Sequence, residues 1–248
     1  VILHPDHVLF CFTRASQADS QACVKVLSPE EHGKAMAYRF EKDRRLSLVA
    51  RAQIRYLLSV IAGKPPQAFE FSVDEKGRPG VSPGTPGEGI EFNISHSRDM
   101  VVSALGRNCL VGVDVEGRDQ TAAPAIAKRF FAPDETAQIM DAPKSERQGL
   151  FLKFWTLKEA WIKALGQGLS QGLDTISFDL RRPGRISYTL RDPAVRFNWQ
   201  FFQFSPQPGA AAAIAVAAPS PRRLDAYHCL PLGELSPMVL SSTMAKSS

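Results

Sequence analysis

The sequence predicts an α/β (α+β) chain of two similar, pseudo-symmetric halves, each a small sheet packed with a long helix. Two observations point there. Residues 43–63 and 149–168 are each predicted as a long helix by their apolar residues. Each is followed by the same order of parts: a strand, an R-P-G loop, a strand, and later a strand of small residues. "FEFSVDEKGRPGV" stands before "MVVSALG" as "ISFDLRRPGRISY" stands before "AAAIAVA". Helix–strand–strand patterns are common, so the repeat by itself leaves other α/β folds open. The join falls near residues 106–112, dividing the chain into 1–108, 109–230 and a polar, loose tail over 231–248.

The elements follow in order. "VLFCF" (8–12) is a strand, and "SPEEHGKAMAYRF" (28–40) opens a helix with Ser28, Pro29 and Glu31. The helix over 43–63 is stopped by Gly63 and Pro65. A short strand "FEF" (69–71), a Gly/Pro-rich loop (77–89), "IEFNIS" (90–95) and strands at 100–105 and 110–116 come next. In the second half, "ISFDLRRPGRISYTL" (176–190), "FNWQFFQF" (197–204) and "AAAIAVA" (211–217) supply strands.

With 248 residues, the chain can form one large domain or two small ones. Its 44% hydrophobic and 22% charged residues are those of a globular protein with no membrane segment, since no apolar run approaches the ~20 residues a span needs. The net charge of +5 comes without a long Lys/Arg run, which argues against nucleic acid as a partner. It suits a phosphorylated small molecule or an acidic protein. Cys11, Cys23, Cys109 and Cys229 lack metal-type spacing and read as free thiols of a reducing cytoplasm.

The chemistry concentrates in three stretches. In "VGVDVEGRD" (111–119), strand alternation sets Asp114 and Glu116 side by side on one face, opposite three valines. An ordinary D-x-E is more often a solvated strand face, but here the strand runs in from Cys109, Leu110 and Val111. Buried like charges need a cation. In "FWTLKEAWIKALG", Lys158, Glu159 and Lys163 interrupt a largely apolar helix. Glu159 and Lys163 have the spacing of a helical ion pair. A hard divalent ion, Mg²⁺, held by Asp114, Glu116 and Glu159 accounts for all three acids together. "FNISHS" (92–97) brings Asn93, Ser95 and His96 to a strand end, where they can bond a phosphate. "EKGRPG" (75–80) offers Gly77 between Lys76 and Arg78, an anion-binding loop or a plain turn.

"GVDVE", "FNISHS" and "WTLKEAWIKALGQGL", in this order and spacing, resemble the Sfp-type 4′-phosphopantetheinyl transferases, and the likeness runs from about Ser28 to Ile176. The resemblance implies an enzyme that moves 4′-phosphopantetheine from coenzyme A to a serine of an apo acyl or peptidyl carrier protein, releasing adenosine 3′,5′-bisphosphate. It implies a monomer of two similar halves with coenzyme A at the join. It makes Asp114, Glu116 and Glu159 the Mg²⁺ ligands, Glu159 also the general base, and Lys163 a pyrophosphate contact. Asn93, Ser95, His96, Lys76, Gly77 and Arg78 become nucleotide contacts, joined by Lys34 and by Ser47, which stands where some members have Thr. Glu31 stands where the family often has a second cation. "AKRFFAPDE" (127–135) is a candidate carrier-docking element, unless Phe130 and Phe131 are both core. The competing readings are a non-catalytic coenzyme A or carrier-binding module and a Mg²⁺-dependent nucleotide pyrophosphatase.

Overall fold

Strand β1 (His7–Arg14) is buried along nearly its whole length. Its valine, leucine and phenylalanine residues make that possible without unpaired backbone, because the strand has a hydrogen-bonded neighbour on each side. The computed structural model describes residues 2–75, 77–117, 123–166, 173–191, 198–240 and 245–247. It divides into two compact units, Val1–Asn108 with Arg223–Val239, and Cys109–Arg222 with Leu240–Ser248.

The first unit runs β1, α1 (Ser20–Val26), α2 (Pro29–Met36), α3 (Glu41–Ala62), β2 (Phe71–Val73), β3 (Pro79–Val81), β4 (Ile90–Ser97) and β5 (Met100–Arg107), and is completed by β11 (Arg223–Cys229) and β12 (Leu235–Pro237). Its main sheet has the order β12-β11-β1-β5-β4. The second unit runs β6 (Leu110–Gly117), α4 (Ala123–Phe130), α5 (Pro133–Asp141), α6 (Lys144–Leu165), β7 (Ile176–Asp179), β8 (Arg185–Leu190), β9 (Trp199–Phe204) and β10 (Ala210–Ala217), with β13 (Ala245–Ser247) added. Its sheet has the order β6-β10-β9-β13-β8-β7.

The two units repeat each other closely. Each is a strand, three helices, two short strands and two antiparallel strands that pair back toward the first. The register repeats too: Cys11 of β1 faces Ser103 of β5, and Asp114 of β6 faces Ala213 of β10, the same positions of their strands. The third helix has 22 residues in both units and ends on a left-handed glycine, Gly63 or Gly166.

A buried ion pair recurs at the heart of each unit. Glu31, in the first turn of α2, caps Ser28 N–H and takes Arg55 Nε at 2.8 Å. Arg55 also donates to the carbonyls of Pro66 and Phe69 and lies over the Phe71 ring. Glu135, in the first turn of α5, accepts from Ala132 N–H and Phe178 N–H and takes Lys158 Nζ at 2.8 Å. Lys158 donates to the carbonyls of Leu173 and Ile176 and lies over the Phe178 ring. Arg55 and Lys158 are each the fifteenth residue of their helix. Burial pushes Glu135 up and Lys158 down, and their mutual attraction opposes both shifts. Each cation ties its long helix to the preceding helix and to the chain leading into the next strand.

Several expectations are corrected. Arg223–Cys229 leaves the second half and pairs parallel with β1, so the second half does not extend to residue 230. Residues 231–239 belong with the first unit, and Leu235–Pro237 pairs with β11 instead of forming a loose tail. The α2 helix stops at Met36, and the strand expected over 69–71 begins only at Phe71 because Phe69 turns into the core. A two-stranded ladder of β2 and β3 enters the expected Gly/Pro loop.

Lys158→Met should destabilise the protein by ~3–5 kcal/mol in denaturant unfolding, since it strands a buried carboxylate. Adding Glu135→Leu should recover most of that loss. Single and double variants of equal stability would show that the pair carries no buried charge.

Candidate active site

The site grows from one close contact. On β6, Val111, Val113 and Val115 are fully buried on one face, while Gly112, Asp114 and Glu116 take the other. A Cβ added at Gly112 would stand 2.0 Å from the Ala160 carbonyl oxygen and 2.5 Å from the Ala164 nitrogen. The backbone of α6 therefore lies directly on the strand there. Beside Gly112, Asp114 and Glu116 the paired residues of β10 are Ala215, Ala213 and Ala211, which also leave room for the helix. Glu159 and Lys163 flank this contact, one turn apart on α6.

The geometry brings Asp114, Glu159 and Lys163 together, with Glu116 beside them. Asp114 is 3% exposed, and its Oδ1 accepts from Lys163 Nζ at 2.6 Å. Lys163 thus reaches across to the strand, and the helical pair with Glu159 is not its main engagement. Glu159 Oε1 is buried and has no hydrogen-bond partner among the described residues. Burial, then the Asp114 carboxylate, push the Glu159 carboxyl up to about 7, with Glu116 adding to the rise and Lys163 opposing it. Lys158, the other cation of the same motif, points away and belongs to the buried pair with Glu135.

Among the described residues no group of three or more His, Cys, Asp and Glu is arranged to hold a metal ion. The donor chemistry nevertheless fits a hard divalent cation: Glu159 offers a buried oxygen without a partner, beside two further carboxylates.

The remaining expected residues lie in the first unit. Asn93 and Ser95 are buried on β4, and the regular pairing of that strand puts exposed His96 on its opposite face. Ser47 is half-buried on α3, and Lys34 is exposed on α2 in a surface pair with Glu30. Arg78 is held by Asp74 and Glu91, and Gly77 is exposed with φ of 80°. Lys76 lies outside the described residues. The 127–135 stretch splits: Phe131 stacks on Phe151 in the core, whereas Phe130 is exposed under Arg129. Sequence reasoning passed over Glu135 and Gly112. The signal for Glu135 was "APDE" at 132–135 echoing "SPEE" at 28–31.

The family description "4′-phosphopantetheinyl transferase superfamily" matches residues 110–217, and "4′-phosphopantetheinyl transferase, N-terminal" matches residues 14–107. The chain belongs to the 4′-phosphopantetheinyl transferase superfamily. It is similar to the 4′-phosphopantetheinyl transferase Sfp of Bacillus subtilis, 31% identical over 71% of this chain and 77% of that protein. It is similar to HetI of Nostoc, also named a 4′-phosphopantetheinyl transferase, at 29% over 81% of this chain and 83% of that protein. A third, psf-1 of Bacillus pumilus, is 32% identical over 67% of this chain and 69% of that protein. The protein is accordingly an enzyme that transfers 4′-phosphopantetheine from coenzyme A to a carrier protein.

Gly112→Ala should cost about 1–3 kcal/mol by forcing α6 off the strand, and should lower transfer with it. Gly149→Ala, where an added Cβ meets nothing within 4 Å on the same helix, should be neutral or stabilising in the same melts. Equal behaviour of the two would show that Gly112 is not a contact point.

A second expectation concerns pH. The native Glu159 carboxyl keeps its proton up to about pH 7, whereas an unfolded glutamate loses it near about 4.3. This group therefore costs stability as pH rises across that window. Carboxyl ¹³C NMR of metal-free protein should show one glutamate titrating near 7 that disappears in Glu159→Gln. A Glu159 that titrates in the ordinary carboxylate range would overturn this account of the site.

Proposed function

We propose that the transfer chemistry is carried by Asp114, Glu116, Glu159 and Lys163. The observation that supports it best is Glu159, raised to about 7 among neighbouring carboxylates and one ammonium. The reaction is displacement at the β-phosphate of coenzyme A by a serine hydroxyl of the apo carrier. The serine proton passes to the Glu159 carboxylate, whose buried Oε1 has no hydrogen-bond donor among the described residues. The new P–O bond forms as the bond to adenosine 3′,5′-bisphosphate breaks. Lys163 balances charge that builds on the pyrophosphate side. Asp114 holds Lys163 in place for this.

Mg²⁺ is the metal proposed for Asp114, Glu116 and Glu159, where it would offset charge on the phosphate oxygens. Nucleotide contacts are proposed for Lys34, Ser47, Lys76, Gly77, Arg78, Asn93, Ser95 and His96. The partners are apo acyl or peptidyl carrier domains, met in the cytoplasm by a monomer. Exposed Lys128, Arg129 and Phe130 offer a basic and apolar spot for such a carrier. Among the described residues no helix is long and apolar enough to cross a membrane.

The direct test is to incubate the protein with coenzyme A and an apo carrier, with and without Mg²⁺, and weigh the carrier. A carrier heavier by one phosphopantetheine, only with Mg²⁺, is expected. Glu159→Gln should slow transfer by ~10²-fold or more, and Asp114→Ala should abolish it. Wild-type rates in Glu159→Gln would remove Glu159 from the chemistry.

A further inference from the structure

The second unit contains a cavity of about 440 Å³ whose lining includes Leu150, Lys153, Arg182, Arg185, Phe204 and Ser205. That volume is in the range of small-molecule sites. Among the described residues the charged side chains lining it are all cations, Lys153, Arg182 and Arg185.

The internal repeat gives this cavity a meaning. Leu150 is the seventh residue of α6, as Ser47 is the seventh of α3. Arg182, Pro183 and Gly184 form the loop between β7 and β8, as Arg78, Pro79 and Gly80 lead from β2 through β3. Phe204 faces Ala212 in the third place of β10, as Ser95 faces Val102 in the third place of β5. Ser205 follows Phe204 as His96 follows Ser95. The cavity is thus lined by the second-unit counterparts of Ser47, Arg78, Ser95 and His96. The basic R-P-G loop is kept, with Lys153 and Arg185 beside it. Leu150 and buried Phe204 stand where the first unit has hydroxyls.

We propose that this cavity is a second nucleotide site, binding a phosphorylated adenosine with its phosphate on Arg182, Arg185 and Lys153 and its ring on Leu150 and Pro183. The inference rests on the reading of Ser47, Arg78, Ser95 and His96 as nucleotide contacts. The cations supply charge complementarity for the phosphate. The apolar wall favours a ligand with a ring over a bare anion.

The test is calorimetric titration of the full chain with adenosine 3′,5′-bisphosphate, with inorganic pyrophosphate as the competitor. Two binding equivalents are expected. Lys153→Glu with Arg182→Glu should remove one, at an unchanged melting temperature and with the transfer kcat within about twofold of wild type. Lys153→Gln with Arg182→Gln should weaken the same equivalent at least tenfold and guards against a folding effect of charge reversal. His96→Ala should weaken only the other equivalent. If His96→Ala changes neither while the charge-reversed variant still loses one, the cavity stands and the reading of His96 fails. A single equivalent that neither charge variant touches overturns the proposal. So does displacement of the second equivalent by pyrophosphate at the concentrations that displace it with nucleotide, which would make the cavity an anion trap.

Discussion

The cluster of Asp114, Glu159 and Lys163 depends on the distance between α6 and β6. Side chains on a helix and a strand ordinarily fill the space between the two backbones. Glycine at 112, with Ala160 and Ala164 above it and Ala213 and Ala215 alongside, removes that padding. The helix settles onto the sheet until main-chain atoms nearly touch. Only then can Lys163 meet Asp114 at 2.6 Å and Glu159 feel the same carboxylate. Small residues here are not a lack of packing but the means by which three charged groups from two elements come to share a space.

The second constraint fixes rotation as well as distance. Helix α6 is apolar around most of its circumference, so packing alone holds it weakly against turning about its axis. Lys158 supplies the missing specification. Its three protons go to Glu135 and to the carbonyls of Leu173 and Ile176, and that set of acceptors exists at one rotation only. The same arrangement, with Arg55 for Lys158, holds α3. The scaffold is therefore duplicated while the acids proposed for the chemistry are not. Where the second unit has Asp114 and Glu159, the matching positions of the first hold buried Cys11 and Tyr56, whose hydroxyl bonds the Gly233 carbonyl.

Much of this was legible in the sequence. The two long helices, the strands of alternating or small residues and the doubled R-P-G order are local patterns, and they appear where the periodicity puts them. The acids could be named because strand alternation is local too. What the sequence hid was non-local. Nothing near Arg223 says that it will pair with β1, more than two hundred residues earlier, since parallel pairing leaves no turn signal. Lys158 interrupts the same apolar helix and adjoins Glu159 in the chain, yet successive residues of a helix point about 100° apart, and its partner Glu135 lies on another helix. Phe130 and Phe131 divide between surface and core for the same reason.

Two acids of the second unit, Glu135 and Glu159, show how a protein separates structure from function by hydrogen-bond accounting. Glu135 is fully buried, Glu159 is half-buried with its Oε1 shut off from water, and burial raises both. Glu135 has two backbone N–H groups and an ammonium for its two oxygens. A carboxylate so satisfied is fixed, and its proton affinity has nothing to act on. Glu159 has a like charge for a neighbour and an oxygen with no hydrogen-bond donor among the described residues. Folding alone gives no reason to retain that arrangement, because a neutral residue of the same size would be more stable. In the proposed role, its cost is recovered when something positive or proton-bearing arrives from outside the chain. An incompletely satisfied carboxylate, held by a helix whose own anchor is completely satisfied, is what a site built to receive a charged substrate requires.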